Sequence, residues 1–471
     1  MSSIENTKSL TNFPPFGHGG ELRSIYFIGI GGIGMSSLAR FFLSRNCVVG
    51  GYDKTSTPLT RQLEAEGVNI HYEENTALIP KEVDVVVYTP AIPSAHQELV
   101  YYREHGYKVV KRSDVLQWIT ESSFNVCVGG THGKTTITTM IAYVLRETGY
   151  GCNAFLGGVS ANYGTNFWSN EKKVCVIEAD EYDRSFLKLS PDVAVITAMD
   201  ADHLDIYGTP EEMENAYVQF TQRVKPGGCL ISKYALKRDA ELNATTHWRY
   251  SFDNIRANAY AKNLRVENGA YIYDVVVNGE EVNDVLLHLG GLHNIENSIA
   301  AITVAKYLGI DNEKIKTAIG AFKGVKRRFE RTITNEAVVI DDYAHHPDEL
   351  KALITGVRSL YKQKLTLVFQ PHLYSRTRDF ADEFAASLDL ADEVILLPVY
   401  PARELPMPGV NSELILNKMK LANKRVLSKE EMLKAVQEEK PLLLVMCGAG
   451  DIDALVPMAS RLLESSFPKG E

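Results

Sequence analysis

Six cysteines in 471 residues, none of them in a paired metal-ligand spacing, leave this chain without a disulfide framework or a zinc-finger reading. Cys47, Cys127, Cys152, Cys175, Cys229 and Cys447 are scattered, mostly in apolar strand-like runs, which reads as buried thiols in a reducing cytosol. No apolar run is long enough to cross a bilayer, and Met1 to Gly20 lacks the apolar core of a signal. The expectation is a cytoplasmic protein with no membrane segment, whose first twenty residues fray ahead of the first strand. No long basic run offsets a net charge of −9, from 50 basic and 59 acidic residues, so nucleic acid is not an expected partner. There is no internal repeat and no low-complexity tract, and nothing distinguishes a monomer from a dimer.

What is present is a globular α/β chain, 45% hydrophobic, with length for about three domains. From Ser24 to about Glu121, strands at Ile25 to Ile30, Cys47 to Gly51 and Val83 to Tyr88 alternate with helical patterns, as in a doubly wound parallel sheet. A second unit opens at Phe124, with strands at Val174 to Ile177, Val193 to Thr197 and Gly228 to Ser232. Between Arg249 and Leu289 the pattern alternates, as for hairpins added to that sheet, and a helical stretch from Asn294 to Phe322 follows. Gly324 to Phe329 reads as a hinge into a third αβ unit with strands at Ala337 to Ile340, Leu365 to Phe369, Glu393 to Pro398 and Leu442 to Met446. The resulting division is 1–121, 122–325 and 326–471.

The most informative run is Val126 to Thr136, a short apolar strand, a glycine turn, and Lys134 with two hydroxyls opening a helix. Backbone N–H groups of Gly130, Thr131, His132 and Gly133 would face phosphates, Lys134 would neutralise the β and γ oxygens, and the hydroxyls of Thr135 and Thr136 follow, with Thr135 completing a magnesium shell. The loop is tighter than the usual P-loop, since Val128 stands where its first glycine belongs. A second glycine turn, Gly29, Gly31, Gly32 and Gly34 with Asp53 closing the next strand, has the spacing of a pyrophosphate fingerprint, as suited to a UDP-sugar as to NAD.

Carboxyl ends of strands gather the remaining chemistry. Glu178 leaves its strand first and is the choice for magnesium, while Asp180 and Glu181 read equally as solvated acids. His203, flanked by acids, reads as a ligand or proton-transfer group. Asn294 and Asn297 share a helix face at three-residue spacing, where they either cap the helix or read an adenine edge. Arg327 and Arg328 lie at the hinge, within reach of phosphates on domain closure. Asp341 to Pro347 and Gln370 to Arg378 are polar clusters at strand ends; Arg376 and Arg378 suit a carboxylate, or else pair with Asp379 or Asp382.

Taken in order, Gly29 to Ala39, Gly130 to Thr136, Glu178 to Asp183, Asp202 to Gly208, Gly291 to Ala301, Arg327 to Glu330, Asp341 to Pro347, Gln370 to Asp379 and Cys447 to Ile452 resemble the Mur ligases, ATP-dependent amide-forming enzymes of bacterial peptidoglycan synthesis. The resemblance implies a Rossmann-like UDP-sugar domain, a central P-loop ATPase-type parallel sheet and a C-terminal Rossmann-like α/β domain. It implies ATP and Mg2+ as cofactors, with UDP-N-acetylmuramate and L-alanine as substrates. Lys134 would take the phosphates; Thr135, Glu178 and His203 the magnesium; Asn294 and Asn297 the adenine. Arg328 and Asp342 would contact the nucleotide, and Tyr343, His345 and Arg376 would border the amino acid, with Lys134, His203 and Arg328 closest to catalysis.

Two positions depart from the family pattern. Leu373 stands where arginine commonly follows the histidine of the Gln-Pro-His motif, and Thr89 to Ile92 stands where a serine pair is common. Three rivals remain: a family member that reattaches a recycled tripeptide to the same sugar, an NAD-dependent oxidoreductase, which leaves the P-loop unexplained, and a nucleotide-gated binding protein.

Overall fold

The computed structural model describes residues 22–200, 203–402 and 404–466; the expected frayed start and Asp202 lie outside them. Three sheets account for the strands. In the first, β1 (Ser24–Ile28), β2 (Val48–Tyr52), β3 (Asn69–His71), β4 (Val85–Tyr88) and β5 (Val109–Lys111) are parallel in the order β3-β2-β1-β4-β5. Strand order reverses between β1 and β4, so the turn after β1, which carries Gly29 to Gly34, opens at the switch point.

The second sheet contains β6 (Phe124–Gly129), β7 (Asn153–Phe155), β8 (Phe167–Trp168), β9 (Val174–Glu178), β10 (Val193–Ile196), β11 (Cys229–Lys233), β12 (Thr246–Tyr250), β13 (Ala259–Glu267), β14 (Ala270–Val277) and β15 (Glu280–Leu287). Their order is β15-β14-β13-β12-β11-β10-β6-β9-β7-β8, and the run from β12 to β9 is parallel. β6 therefore lies between β9 and β10, which brings the loop after Gly129 between the ends that carry Glu178 and Met199. These strands are Val- and Ile-rich without alternation because both faces are covered. The alternating region forms β13 to β15, and Asn278 and Gly279, at φ 50° and 84°, make the turn between the last two.

The third sheet comprises β16 (Glu330–Thr334), β17 (Ala337–Asp342), β18 (Leu365–Phe369), β19 (Glu393–Leu396), β20 (Lys424–Val426) and β21 (Leu443–Cys447), in the order β16-β17-β21-β18-β19-β20. Only the β16 pairing among them is antiparallel. Asp342, Cys447 and Phe369 share one register level, so the acidic end of β17 and the Gln370 end of β18 flank β21.

By contacts the chain divides into two units, one running up to Lys262 with Asp274–Asn283 and Glu296–Ala321, the other taking Asn263–Tyr273, Asp284–Ile295 and the chain from Phe322 onward. The first sheet and the strands β6 to β12 of the second belong to the first unit and share one core, in which the Phe41 ring stands 5.3 Å from Phe155 and 6.2 Å from Phe167. The third sheet has its own core, with Val339, Val368, Leu444 and Met446 fully buried. The helical stretch from Asn294 proves to be two helices, Leu292–Tyr307 and Asn312–Ala321, because Gly309 at φ 75° ends the first. All six cysteines are buried. Among the described residues no helix is long and apolar enough to cross a membrane.

Candidate functional site

The run after β6 forms the expected strand, turn and helix, with Lys134 opening the helix Lys134–Glu147 and Gly133 at φ 78° just before it. Its backbone is held by the end of β10: Thr197 N–H donates to the Gly129 carbonyl at 3.0 Å, the Thr197 hydroxyl donates to the His132 carbonyl, and Thr131 N–H reaches the Ala198 carbonyl at 3.3 Å. A Cβ at Gly130 would stand 2.7 Å from the Ala198 nitrogen and one at Gly133 2.8 Å from Asn297 Oδ1. Gly130 is therefore required by close approach to backbone as well as by φ, and Gly133 by φ. His132 Nε2 lies 3.5 Å from Asp200, and both side chains are exposed.

Lys134, Thr135, Glu178 and His203 converge around this loop. The Lys134 ammonium donates to the Gly130 carbonyl at 2.7 Å and to Glu181 Oε1 at 2.6 Å. The Thr135 hydroxyl donates to Glu178 Oε1 at 3.1 Å, and Gly157 N–H donates to Glu178 Oε2 at the same distance. His203, at φ 48°, has its Nε2 3.8 Å from Glu181 Oε1. The reading of Glu181 as a solvated acid is wrong: it is 1% exposed, because the turn after Glu178 folds it back onto the lysine. Asp180 instead pairs with Arg112 at 3.0 Å. Among the described residues no three His, Cys, Asp or Glu side chains form a metal cluster. The oxygen donors Thr135 and Glu178 still fit magnesium, which takes one or two carboxylates and completes its shell with phosphates and water.

At the turn after β1, Gly29 adopts φ 86° and Gly31 N–H donates to Asp53 Oδ2 at 2.8 Å. Asp53 thus serves the glycine loop itself, with its other oxygen accepting from Thr55 N–H at 3.2 Å. Gly32 caps the helix Ile33–Leu43, and the Arg112 guanidinium lies against Gly34, where a Cβ would overlap it. Sequence reasoning missed Arg112; its only signal was a basic residue directly after β5.

In the second unit Asp342 accepts from Phe329 N–H at 2.7 Å and from Ala344 N–H at 2.8 Å, and burial raises its pKa to about 6. It grips the loop that presents Arg328, which is exposed. Arg327 and Phe329 hold φ of 60° and 52°, a strained pair fixed by these bonds and by Tyr343 N–H to the Arg327 carbonyl at 2.7 Å. Arg327 itself is engaged, donating to the Gly448 carbonyl and lying over the Tyr343 ring at 5.0 Å.

Tyr343, His345 and His372 form a chain of rings, 5.1 Å and 6.1 Å apart. His345 Nδ1 lies 2.9 Å from the Tyr343 carbonyl. Burial, then the neighbouring His345 and Arg376, hold the His372 pKa below the ordinary histidine value. His372 Nδ1 and Arg376 Nη1 are buried with no hydrogen-bond partner, while Arg378 pairs with Asp379 at 2.7 Å and Asp382 with Lys418 at 2.8 Å. The ion-pair alternative therefore holds for Arg378 and not for Arg376. Leu373 adopts φ 70° and is pinned by its N–H to the Tyr400 carbonyl at 2.9 Å. Asn294 Nδ2 donates to the Gly290 carbonyl at 2.7 Å, whereas Asn297 lies beside the Gly133 turn.

Three family models match in order: Mur ligase family, catalytic domain at 24–123, Mur ligase middle domain at 128–305, and Mur ligase, glutamate ligase domain at 327–451. The chain belongs to the Mur ligase family. Curated relatives include the UDP-N-acetylmuramate–L-alanine ligases of Phocaeicola vulgatus, 47% identical over 94% of this chain and 98% of the relative, and of Cytophaga hutchinsonii, 43% identical over 95% and 98%. Among solved structures, the UDP-N-acetylmuramate-alanine ligase of Thermotoga maritima matches with a TM-score of 0.75 at 26% identity, over 94% of this chain and 99% of that one. A murein peptide ligase of Psychrobacter arcticus matches at 0.61 and 23% identity, over 95% and 100%, a likeness of Mur ligase fold alone.

Proposed function

We propose that this Mur ligase joins L-alanine to the lactyl carboxylate of UDP-N-acetylmuramate with conversion of ATP to ADP and phosphate, in cytoplasmic synthesis of peptidoglycan precursors. Near-full-length similarity to relatives named for that reaction carries the reading. The working division is 1–121 for the UDP-sugar, 122–325 for ATP and 326–471 for the amino acid.

A carboxylate is a poor electrophile. Its oxygen attacks the γ-phosphorus of ATP, the bond to ADP breaks, and an acyl phosphate forms. The amine of L-alanine then attacks the acyl carbon, the tetrahedral intermediate collapses, and phosphate leaves as the amine loses a proton. Lys134 and the loop from Gly130 to Thr136 hold the phosphates, and the lysine offsets the repulsion between carboxylate and triphosphate. Thr135, Glu178 and His203 would hold Mg2+, which when bound neutralises charge on the transferring phosphoryl group. Asn294 and Asn297 serve the adenine, and Arg328 and Asp342 the nucleotide, Asp342 through the backbone of the loop it grips.

Gly29, Gly31, Gly32 and Gly34 let the backbone turn tightly beneath a UDP pyrophosphate at the start of the helix Ile33–Leu43, with Asp53 shaping that turn and Arg112 supplying positive charge. Tyr343, His345 and Arg376 border the amino acid. The buried, unpartnered Nη1 of Arg376 suits its carboxylate, and no arginine is available at Leu373. His345 is the favoured base: a carbonyl only accepts, so Nδ1 carries the ring proton towards Tyr343 and Nε2 is the basic atom.

Hydroxylamine in place of L-alanine tests the acyl phosphate. With ATP, magnesium and UDP-N-acetylmuramate, the lactyl hydroxamate should accumulate; phosphate release without hydroxamate would remove that step.

A further inference from the structure

Glu181 is buried beside the Lys134 ammonium, and neither chemical step above makes use of it. An ammonium has three N–H bonds. Lys134 directs one at the Gly130 carbonyl and one at Glu181 Oε1, which leaves one for a phosphate oxygen. The acid is held from behind, since the Tyr207 hydroxyl donates to the Glu181 carbonyl at 2.7 Å, and His203 Nε2 is 3.8 Å from the same Oε1. Its second oxygen, Oε2, is buried with no hydrogen-bond partner. Such a carboxylate carries a desolvation cost and repels a triphosphate bound at this loop. Against those two costs stands one gain: the direction and effective charge of Lys134 are set before the nucleotide is met.

Resting on the reading of Lys134 as the phosphate-binding lysine, we infer that Glu181 is a positioning residue for it. Glu181 aims the third N–H of Lys134 and offsets part of its charge. Nucleotide is thereby held less tightly in the ground state, and the lysine's interaction is kept for the moment when charge moves during phosphoryl transfer. The two effects separate experimentally, because one depends on charge and the other on reach.

Glu181→Gln keeps the shape and removes the charge. The full-length variant should bind ADP and ATP about tenfold more tightly in calorimetric titration while kcat for phosphate release falls about tenfold, opposite movements that a purely structural residue would not give. Glu181→Asp keeps the charge and shortens the reach by one methylene, so nucleotide affinity should stay near wild type while kcat falls. Nucleotide binding unchanged or weaker in Glu181→Gln, or full turnover in either variant, overturns the inference. If Glu181→Gln fails to fold, Glu181→Asp decides by the same criterion of turnover. Lys134→Ala in the same titration separates the two claims: nucleotide binding and turnover that survive it defeat the phosphate-site reading, whatever Glu181 does.

Discussion

Two glycine turns lie in the first unit, each between a buried parallel strand and a helix, and each facing the open end of its sheet. The turn after β6 carries its own cation: Lys134 comes directly after Gly133, and Thr135 directly after that. The turn after β1 has no basic residue of its own. Its Gly31 N–H is taken by Asp53, and its positive charge arrives from Arg112, which is remote in sequence and is held in turn by Asp180. A loop that includes its counter-charge is readable as a motif, whereas a loop that borrows it declares only half of its chemistry. The difference also predicts unequal fragility, since one turn concentrates its function in one side chain and the other spreads it over three.

The largest break in that comparison is Lys134→Ala. Turnover should fall about a thousandfold or more, on the scale of removing a principal stabiliser of transition-state charge, with the circular dichroism spectrum retained. Ordinary phosphate release from the variant would sink the assignment. Next comes Arg376→Ala in the second unit, expected to raise KM for L-alanine by about a hundredfold through loss of a charge-assisted bond while KM for ATP stays near wild type. A rise in both constants together would mean that the variant disturbs the unit rather than the carboxylate site.

Arg112→Ala sharpens the contrast between the turns: KM for the UDP-sugar should rise about tenfold, and nucleotide affinity should not move. A change in ATP affinity of the same size would show that the two turns do not work separately. The smallest effect concerns stability. Burial lifts Asp341 from 3.8 to about 7, with Arg327 opposing the shift, and burial lifts Asp342 to about 6. The folded state keeps these protons longer than the unfolded chain, so their stabilising contribution is complete below about pH 4 and is lost as pH rises through about 7. Asp341→Asn should flatten that slope in urea melts between pH 4 and 8, by at most about 4 kcal/mol. An unchanged slope would refute the linkage.

Much of the fold was legible because parallel strands buried on both faces leave unbroken apolar runs such as Val193 to Ile196, and their ends mark where ligands gather. Lys134, Thr135, Glu178 and His203 were brought together as their strand ends required. Very short strands were not legible: β7 and β8 have three and two residues, too few to show a period. Glu181 and Arg112 escaped for a different reason. Each acts on a partner far away in the chain, and no local pattern distinguishes a carboxylate folded onto a lysine from one left in water. The backbone at Leu373, φ 70°, was equally invisible, since leucine at that torsion is imposed by its bond to Tyr400 rather than chosen by its own preference.

The most direct test is phosphate release from ATP and magnesium with UDP-N-acetylmuramate, with and without L-alanine. Release that requires all the substrates, with one ADP formed for each amide bond, is the expected result. Release that ignores L-alanine but responds to the tripeptide, or no release with either, would contradict the account.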